Sequence, residues 1–254
     1  MADFSERHFQ RLEQEAQREF RRRSLALTRR FPSWIGPETR RRRWLKRAAV
    51  AGIVLGVLVA PFGVLVGGAV WLYRQGFPTW LALLSSVAAV GALLAWIATR
   101  ISRRLTGRPR WRFIGKWVAL PVTAAYSLHA LFVFSATHAK TEETRREFAS
   151  LHPLLRVAVS TATVFDRGMV VTDGARVPGD YAQMGLPVYE RSLHFRQPDG
   201  WVHAVDLRTI GRPWWRNFLT RWYFEIMGFR TVRHVGTADH LHVSFPSRVR
   251  PDAS

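Results

Sequence analysis

The chain opens with 47 polar, strongly basic residues that include Arg21-Arg22-Arg23 and Arg40-Arg41-Arg42-Arg43. Within them Phe9, Leu12, Ala16 and Phe20 recur at helical spacing, which predicts an amphipathic helix in part of this arm. The pattern then changes abruptly. Residues 48–73 form an uninterrupted apolar run, and about 20 such residues suffice to cross a bilayer. Gly52, Gly56, Gly63, Gly67 and Gly68 allow close helix packing, Pro61 predicts a kink, and Trp71 and Tyr73 fall where an interfacial aromatic belt belongs. A short turn, Arg74-Gln75-Gly76-Phe77-Pro78, leads to a second expected span at about 80–98. A basic loop over 100–116, without an acidic residue, precedes a third expected span at about 114–136 that contains Pro121 and His129.

After residue 136 both periodicities occur, with charges of both signs. Residues 140–254 are a normal length for one small domain. A helix is expected over 141–164, where Glu142, Glu143 and Glu147 precede an apolar face of Leu151, Leu154, Leu155 and Val157. Met169–Thr172 reads as a short strand and Asp173–Asp180 as a loop. Val188–Phe195 and Trp201–Leu207 flank Gln197-Pro198-Asp199-Gly200 and read as a hairpin. An aromatic-rich helix over 213–227 ends at Gly228, followed by strands at 229–235 and 240–245. Trp214, Trp215, Trp222 and Tyr223 read as core and interface aromatics. The expected fold class is an α-helical membrane region of three transmembrane helices, followed by a small α+β domain around an antiparallel sheet.

Composition refines this picture. The chain has 254 residues, no Cys and a net charge of +20. Without Cys, any metal must be held by His, Asp or Glu. The excess Arg is concentrated beside the apolar runs, the pattern of cytoplasmic loops, and no base-reading motif points to specific nucleic-acid binding. Basic flanks at 1–47 and 100–116, separated by two spans, both favour the cytoplasm. Three spans would then deliver residues 140–254 to the extracytoplasmic side of a bacterial inner membrane.

The candidate chemistry lies in Asp239-His240-Leu241-His242. Strand alternation puts His240 and His242 on one face. If the 188–207 hairpin turns near Gly200, His194 and Asp206 lie nearly opposite each other, and His242 on a neighbouring strand completes a set of three. Three protein ligands with one open position are the arrangement of a catalytic zinc, and a nearby carboxylate, here Asp239, can take a proton from water. His203 is a rival ligand, because a register change of one residue would turn Asp206 to the other face. His240 reads as a neighbour of the site, and Asp199 as a turn residue.

Taken in order, Gly174-Ala175-Arg176, Ser192-Leu193-His194, Ala204-Val205-Asp206, Gly228-Phe229 and Asp239-His240-Leu241-His242 resemble the motifs of the M15-type D-alanyl-D-alanine metallopeptidases, which share a fold with the hedgehog signalling domain. The resemblance covers residues 140–254 and none of the membrane region. It implies a hedgehog/DD-peptidase-like fold, Zn2+ held by His194, Asp206 and His242, Asp239 as general base, and Arg176 neutralising a substrate carbonyl or carboxylate. The family commonly places its first His seven residues before the Asp, whereas here twelve residues separate them.

Two readings follow. One is a membrane-anchored zinc peptidase acting on peptidoglycan stem peptides or cross-links. The other is a catalytically inactive module serving as a structural or binding subunit of a membrane complex, with the apolar helices or the basic arm as partner surfaces. The lipid bilayer is a partner in both.

Overall fold

The computed structural model describes residues 37–248 apart from 184, 186, 237 and 238, together with positions 15 and 17–19 of the arm. Phe9, Leu12, Ala16 and Phe20, which define the expected amphipathic helix, lie outside the described residues. The chain divides into two compact units, residues 1–57 and 58–254.

Helix α1 spans Pro37–Arg74 and continues through Pro61; α2 spans Thr79–Thr106. Among the described residues, two helices are long and apolar enough to cross a membrane, Arg41–Arg74 and Thr79–Thr106. The third expected span, at 114–136, is not one such helix. It is assembled from α3 (Trp111–Ile114), a π-turn over Gly115–Ala119, and α4 (Leu120–Phe132) of 13 residues. Pro121 has no N–H to donate to the preceding turn, and the helix widens there, with Leu120 N–H reaching back to the Gly115 carbonyl. After Phe132 the chain turns extended at Val133.

The segment 111–132 runs back along α2, to which both the π-turn and α4 are packed. It therefore leads from the basic loop back toward the start of α2, about 33 Å by helix rise over its 22 residues. There the C-terminal region is built on the α1–α2 turn. Arg248 donates to the Phe77 carbonyl at 2.9 Å and covers the Tyr73 ring, which also meets Phe245 at 4.7 Å between centroids.

The helix expected over 141–164 is divided. α5 (Glu142–Glu147) starts at Thr141, whose hydroxyl accepts the Thr144 N–H, and runs into a 3-10 turn at Phe148–Ser150. Leu151 and His152 are extended, because the residue before a proline disfavours helix, and α6 begins at Pro153 and ends at Phe165. His152 Nδ1 accepts the Leu154 N–H as the N-cap. Every residue of α6 from Pro153 to Ala162 is buried, as befits a helix covered on all sides. Tyr126 of α4 reaches Thr161 at 2.9 Å, and Ser160 donates to the Ala130 carbonyl at 2.9 Å. One core joins Leu65, Val66 and Val70 of α1 and Leu83 of α2 to Leu154, Leu155, Val205, Leu241 and Phe245. Residues on both sides of position 140 thus contribute to a single apolar cluster.

The strands are β1 (Val171–Asp173), β2 (Ala204–Arg208), β3 (Arg230–His234) and β4 (His240–Ser244), in the antiparallel order β1-β2-β4-β3. A small antiparallel sheet among helices agrees with the expected α+β class. Two further helices complete the unit: α7 (Pro178–Gln183), which begins within the segment expected to be a loop and runs past its end, and α8 (Trp214–Ile226). Val188–Phe195 forms no strand. Of the expected hairpin only an isolated Arg196–Val202 bridge remains, where Gln197-Pro198-Asp199-Gly200 turns tightly.

Candidate metal centre

Strand alternation divides β2 and β4 into two faces. Val205, Leu207, Leu241 and Val243 enter the core, while Asp206 and His242 point to the other side. These two residues are direct partners in the β2–β4 register. The third residue arrives from a loop. His194 is fixed there by a Leu193 carbonyl that accepts the His203 N–H at 2.9 Å, and by its own carbonyl accepting the Arg176 N–H at 3.0 Å. All three side chains are buried.

Their ligating atoms converge. His242 Nδ1 lies 2.9 Å from Asp206 Oδ1, His194 Nε2 lies 3.3 Å from the same oxygen, and the two ring nitrogens are 3.2 Å apart. Zinc ligands about 2.1 Å from a tetrahedral centre stand about 3.4 Å from each other, so these edges suit one small cation. The hydrogen bonding makes the same demand. His194 Nδ1 faces the Gly174 carbonyl at 2.6 Å, and a carbonyl only accepts, so the proton of neutral His194 sits on Nδ1. Its Nε2 lone pair then confronts a carboxylate oxygen at 3.3 Å. Two acceptors at that distance require a cation between them, a proton or a metal.

The electrostatics follow from this arrangement. Burial acts to lower the His194 pKa, but the Asp206 charge and hydrogen bond outweigh it and hold it above the ordinary value. Burial acts to raise the Asp206 pKa, yet His194 and His242 hold it well below the usual carboxylate range. The charged carboxylate is therefore the stable form. The group His194, Asp206 and His242 can hold a metal ion.

Arg176 lines the cleft beside Asp206. Its Nε donates to Asp173 at 2.6 Å and its Nη2 to Asp206 Oδ2 at 2.7 Å. It thus holds the outer oxygen of Asp206 and leaves Oδ1 to the histidines. The backbone at Gly174 lies close to Glu147: a Cβ there would stand 3.2 Å from Glu147 Oε2. Glu147 accepts backbone N–H groups of Ala175 and Gly174, and burial followed by the Asp173 charge raises its pKa.

Asp239 lines the same cleft, which measures about 720 Å³. Its carboxylate accepts from Thr209 at 2.5 Å and from Arg233 Nη2 at 2.8 Å. Those bonds, Arg233 first, push its pKa down to about 2. His240 Nε2 stands 3.6 Å from Asp206 Oδ2, and its ring stacks on His234 at 4.8 Å. His234 is a residue that sequence reasoning missed. It pairs with His240 in the β3–β4 register, so the same alternation that aligned His240 with His242 would have found it.

The rival ligand His203 lies on the core face, with its Nε2 2.8 Å from Asp199 Oδ2. With His152 these residues form a second close group. Both nitrogens of His152 are already engaged, Nδ1 by Leu154 N–H and Nε2 by Thr79 at 3.1 Å, and its ring stacks on Phe245 at 4.0 Å. That group is a packed polar joint between the α1–α2 turn and the sheet.

No known protein family, characterised protein or solved structure matches this chain.

Proposed function

We propose that this chain is a membrane-embedded, zinc-dependent hydrolase of peptide bonds in peptidoglycan stem peptides or cross-links, related to the M15-type metallopeptidases. The convergence of His194 Nε2, Asp206 Oδ1 and His242 Nδ1 at the wall of a polar cleft carries the reading. Two imidazoles and one carboxylate suit zinc and leave a position open. A zinc ion held there supplies Lewis acidity to a water molecule and to the carbonyl under attack.

The chain's own groups do the rest. Arg176 fixes the carboxylate and the Gly174 carbonyl fixes the His194 ring, so that both ligands are oriented before metal arrives. A proton must leave the attacking water. By resemblance Asp239 accepts it, although a carboxylate held at about 2 is a weak base. His240, whose Nε2 is 3.6 Å from Asp206 Oδ2, is the alternative acceptor. The geometry supports an extracytoplasmic site, because the C-terminal region is built on the α1–α2 turn, at the far end of α2 from the basic loop, and basic loops favour the cytoplasm.

A second reading has its own support. Both oxygens of Asp239 are engaged, and the core is shared with the apolar helices, as suits a non-catalytic subunit of a membrane complex. The two are separated on the full chain in detergent or nanodiscs. Elemental analysis is expected to find about one zinc per chain, and mass spectrometry to find cleaved stem peptides. Zinc without turnover on any peptidoglycan fragment favours the binding subunit, and a folded chain that takes up no metal removes the hydrolase.

A further inference from the structure

Helix α8 presents the wrong face to water. Its buried residues are Asn217, Thr220 and Phe224. At 100° per residue these define one side; the opposite side carries Trp215, Phe218, Leu219, Trp222 and Ile226, and Trp214 stands at its flank. All six are exposed, Trp214 at 77%. A helix at the surface of a water-soluble domain keeps its polar residues there. Arg216, Arg221 and Glu225 flank this apolar arc.

The helix lies beside the end portion of a membrane-spanning segment. Gly228, which follows α8, would place a Cβ 2.9 Å from Val70 of α1, and Gly67 would place one 3.4 Å from Met227. Tyr223 donates to the Ala158 carbonyl of α6 at 3.0 Å, and the Asp166 carboxylate that ends α6 pairs with Arg212 just before α8. α6 itself descends along α1: His152 meets Tyr73, whereas Phe165 meets Phe62 at 5.1 Å, about 16 Å lower by helix rise. The end of α6, with Val164 and Phe165 exposed, and the start of α8 thus stand beside the interior of α1, not beyond its end.

We propose that α8 is immersed in the headgroup–acyl boundary of the same bilayer that α1 and α2 cross, with its Trp/Phe/Leu/Ile face against lipid. The aromatic residues, the flanking arginines and the depth beside α1 match an interfacial helix, whose apolar face lies about 5–10 Å into that boundary. Large apolar residues are exposed on the spans as well, among them Leu84 of α2 and Leu128 of α4. This inference rests on the membrane helices alone and is independent of the metal site.

Because the chain has no Cys, single-Cys variants test it directly. Phe218→Cys and Trp222→Cys, each in the full chain and nitroxide-labelled, are reconstituted in nanodiscs of phosphatidylethanolamine and phosphatidylglycerol. Leu84→Cys is the lipid reference and Arg196→Cys the water reference. The expected result is a ratio of oxygen to nickel-chelate accessibility at 218 and 222 several-fold above that at 196 and close to that at 84. Labels at 218 and 222 that behave like 196 overturn the proposal. So does low accessibility to both reagents, or spin–spin broadening, since either shows that protein covers this face. Far-ultraviolet circular dichroism confirms that each labelled variant is folded, and the second position keeps the test decisive if one variant fails.

Discussion

Asp206→Asn is the sharpest test of the candidate metal centre, because it removes one charge at nearly constant shape. Asp206 is shared by His194, His242 and Arg176, at 3.3, 2.9 and 2.7 Å. Two effects must be separated. Without metal, the variant loses the anion between two imidazoles and a guanidinium. Arg176 keeps Asp173 at 2.6 Å, so one cation is still partnered, and the loss should be about 1–3 kcal/mol. With metal, the wild type at a free zinc concentration a hundred times its Kd gains about 2.7 kcal/mol. Replacing the residues that merely orient ligands typically costs about 10–100-fold in affinity, so loss of a ligand should cost at least about 100-fold. At the same zinc concentration the variant then gains only about 0.4 kcal/mol. The assay is thermal unfolding of the full chain in detergent, in chelator and in buffered zinc. Wild type should rise by roughly 5–10 °C on adding zinc, and Asp206→Asn by roughly 1 °C. Equal zinc shifts in the two proteins would refute the ligand assignment, whatever the cost of the substitution in chelator.

Four other outcomes follow from the structure. If Asp239 takes the proton, Asp239→Asn should lower kcat by about 10²–10⁴-fold while zinc stays bound, and His240→Gln should do little; the reverse result in stem-peptide turnover makes His240 the base. His152 is held well below its ordinary pKa, by burial first and then the His203, Arg156 and Arg248 charges, and burial also lowers His203. Both stay neutral in the folded chain while the unfolded chain takes up protons near pH 6.5, so their contribution is full above that pH and is lost as pH falls. The loss is about 1.4 kcal/mol per pH unit for each group, and His152→Gln should flatten an unfolding-versus-pH profile by one such slope. Gly228 has φ +94° and no room for a Cβ beside Val70, so Gly228→Ala should cost about 2–4 kcal/mol, read as a fall in Tm of the full chain. Finally, a 140–254 fragment should fail to give a monodisperse, cooperatively unfolding protein, since α6 and Phe245 would lose Leu65, Val70, Tyr73 and Leu83. Each large apolar side chain uncovered costs about 1.5–3 kcal/mol, against a whole-domain stability of about 5–15 kcal/mol. A compact fragment with a sharp thermal transition would contradict the shared core.

What was legible in the sequence is what short-range periodicity encodes. Alternation places His240 and His242 on one face, whereas the partner of Asp206 expected from the hairpin pattern is His194 and the β2–β4 register makes it His242. Helix α8 was found nearly to its ends, between Pro213 and Gly228. The failures share a cause. His194 reaches the site from a loop, held by a Gly174 carbonyl twenty residues away, and no local pattern announces such a contact. The break at Leu151–His152 follows from Pro153 alone, yet the apolar spacing of Leu151, Leu154 and Leu155 runs across it and hides it. The apolar run at 114–136 has the composition of a span, but hydropathy does not register the missing N–H of Pro121 that divides it. The twelve-residue gap between His194 and Asp206 looked like a longer hairpin and is a tight turn at residues 197–200.

The same alternation that builds the cleft also ties it to the membrane helices. On β2 and β4, Asp206 and His242 face the cleft and the intervening Val205, Leu207, Leu241 and Val243 enter the apolar core. Asp206 and His242 are therefore one position removed from Leu207, Leu241 and Val243, which lie in the core shared with α1 and α2. One step beyond, His203 and Phe245 join His152, and through it Thr79 and Tyr73 at the α1–α2 turn. A shift of α1 against α2 would be felt at Tyr73 and His152, next at Phe245, and then along β4 toward His242. A flexible tether would transmit none of this. The apolar helices thus share one core with the strands that carry Asp206 and His242, and the candidate metal centre is best understood as a property of residues 58–248 together rather than of the sheet alone.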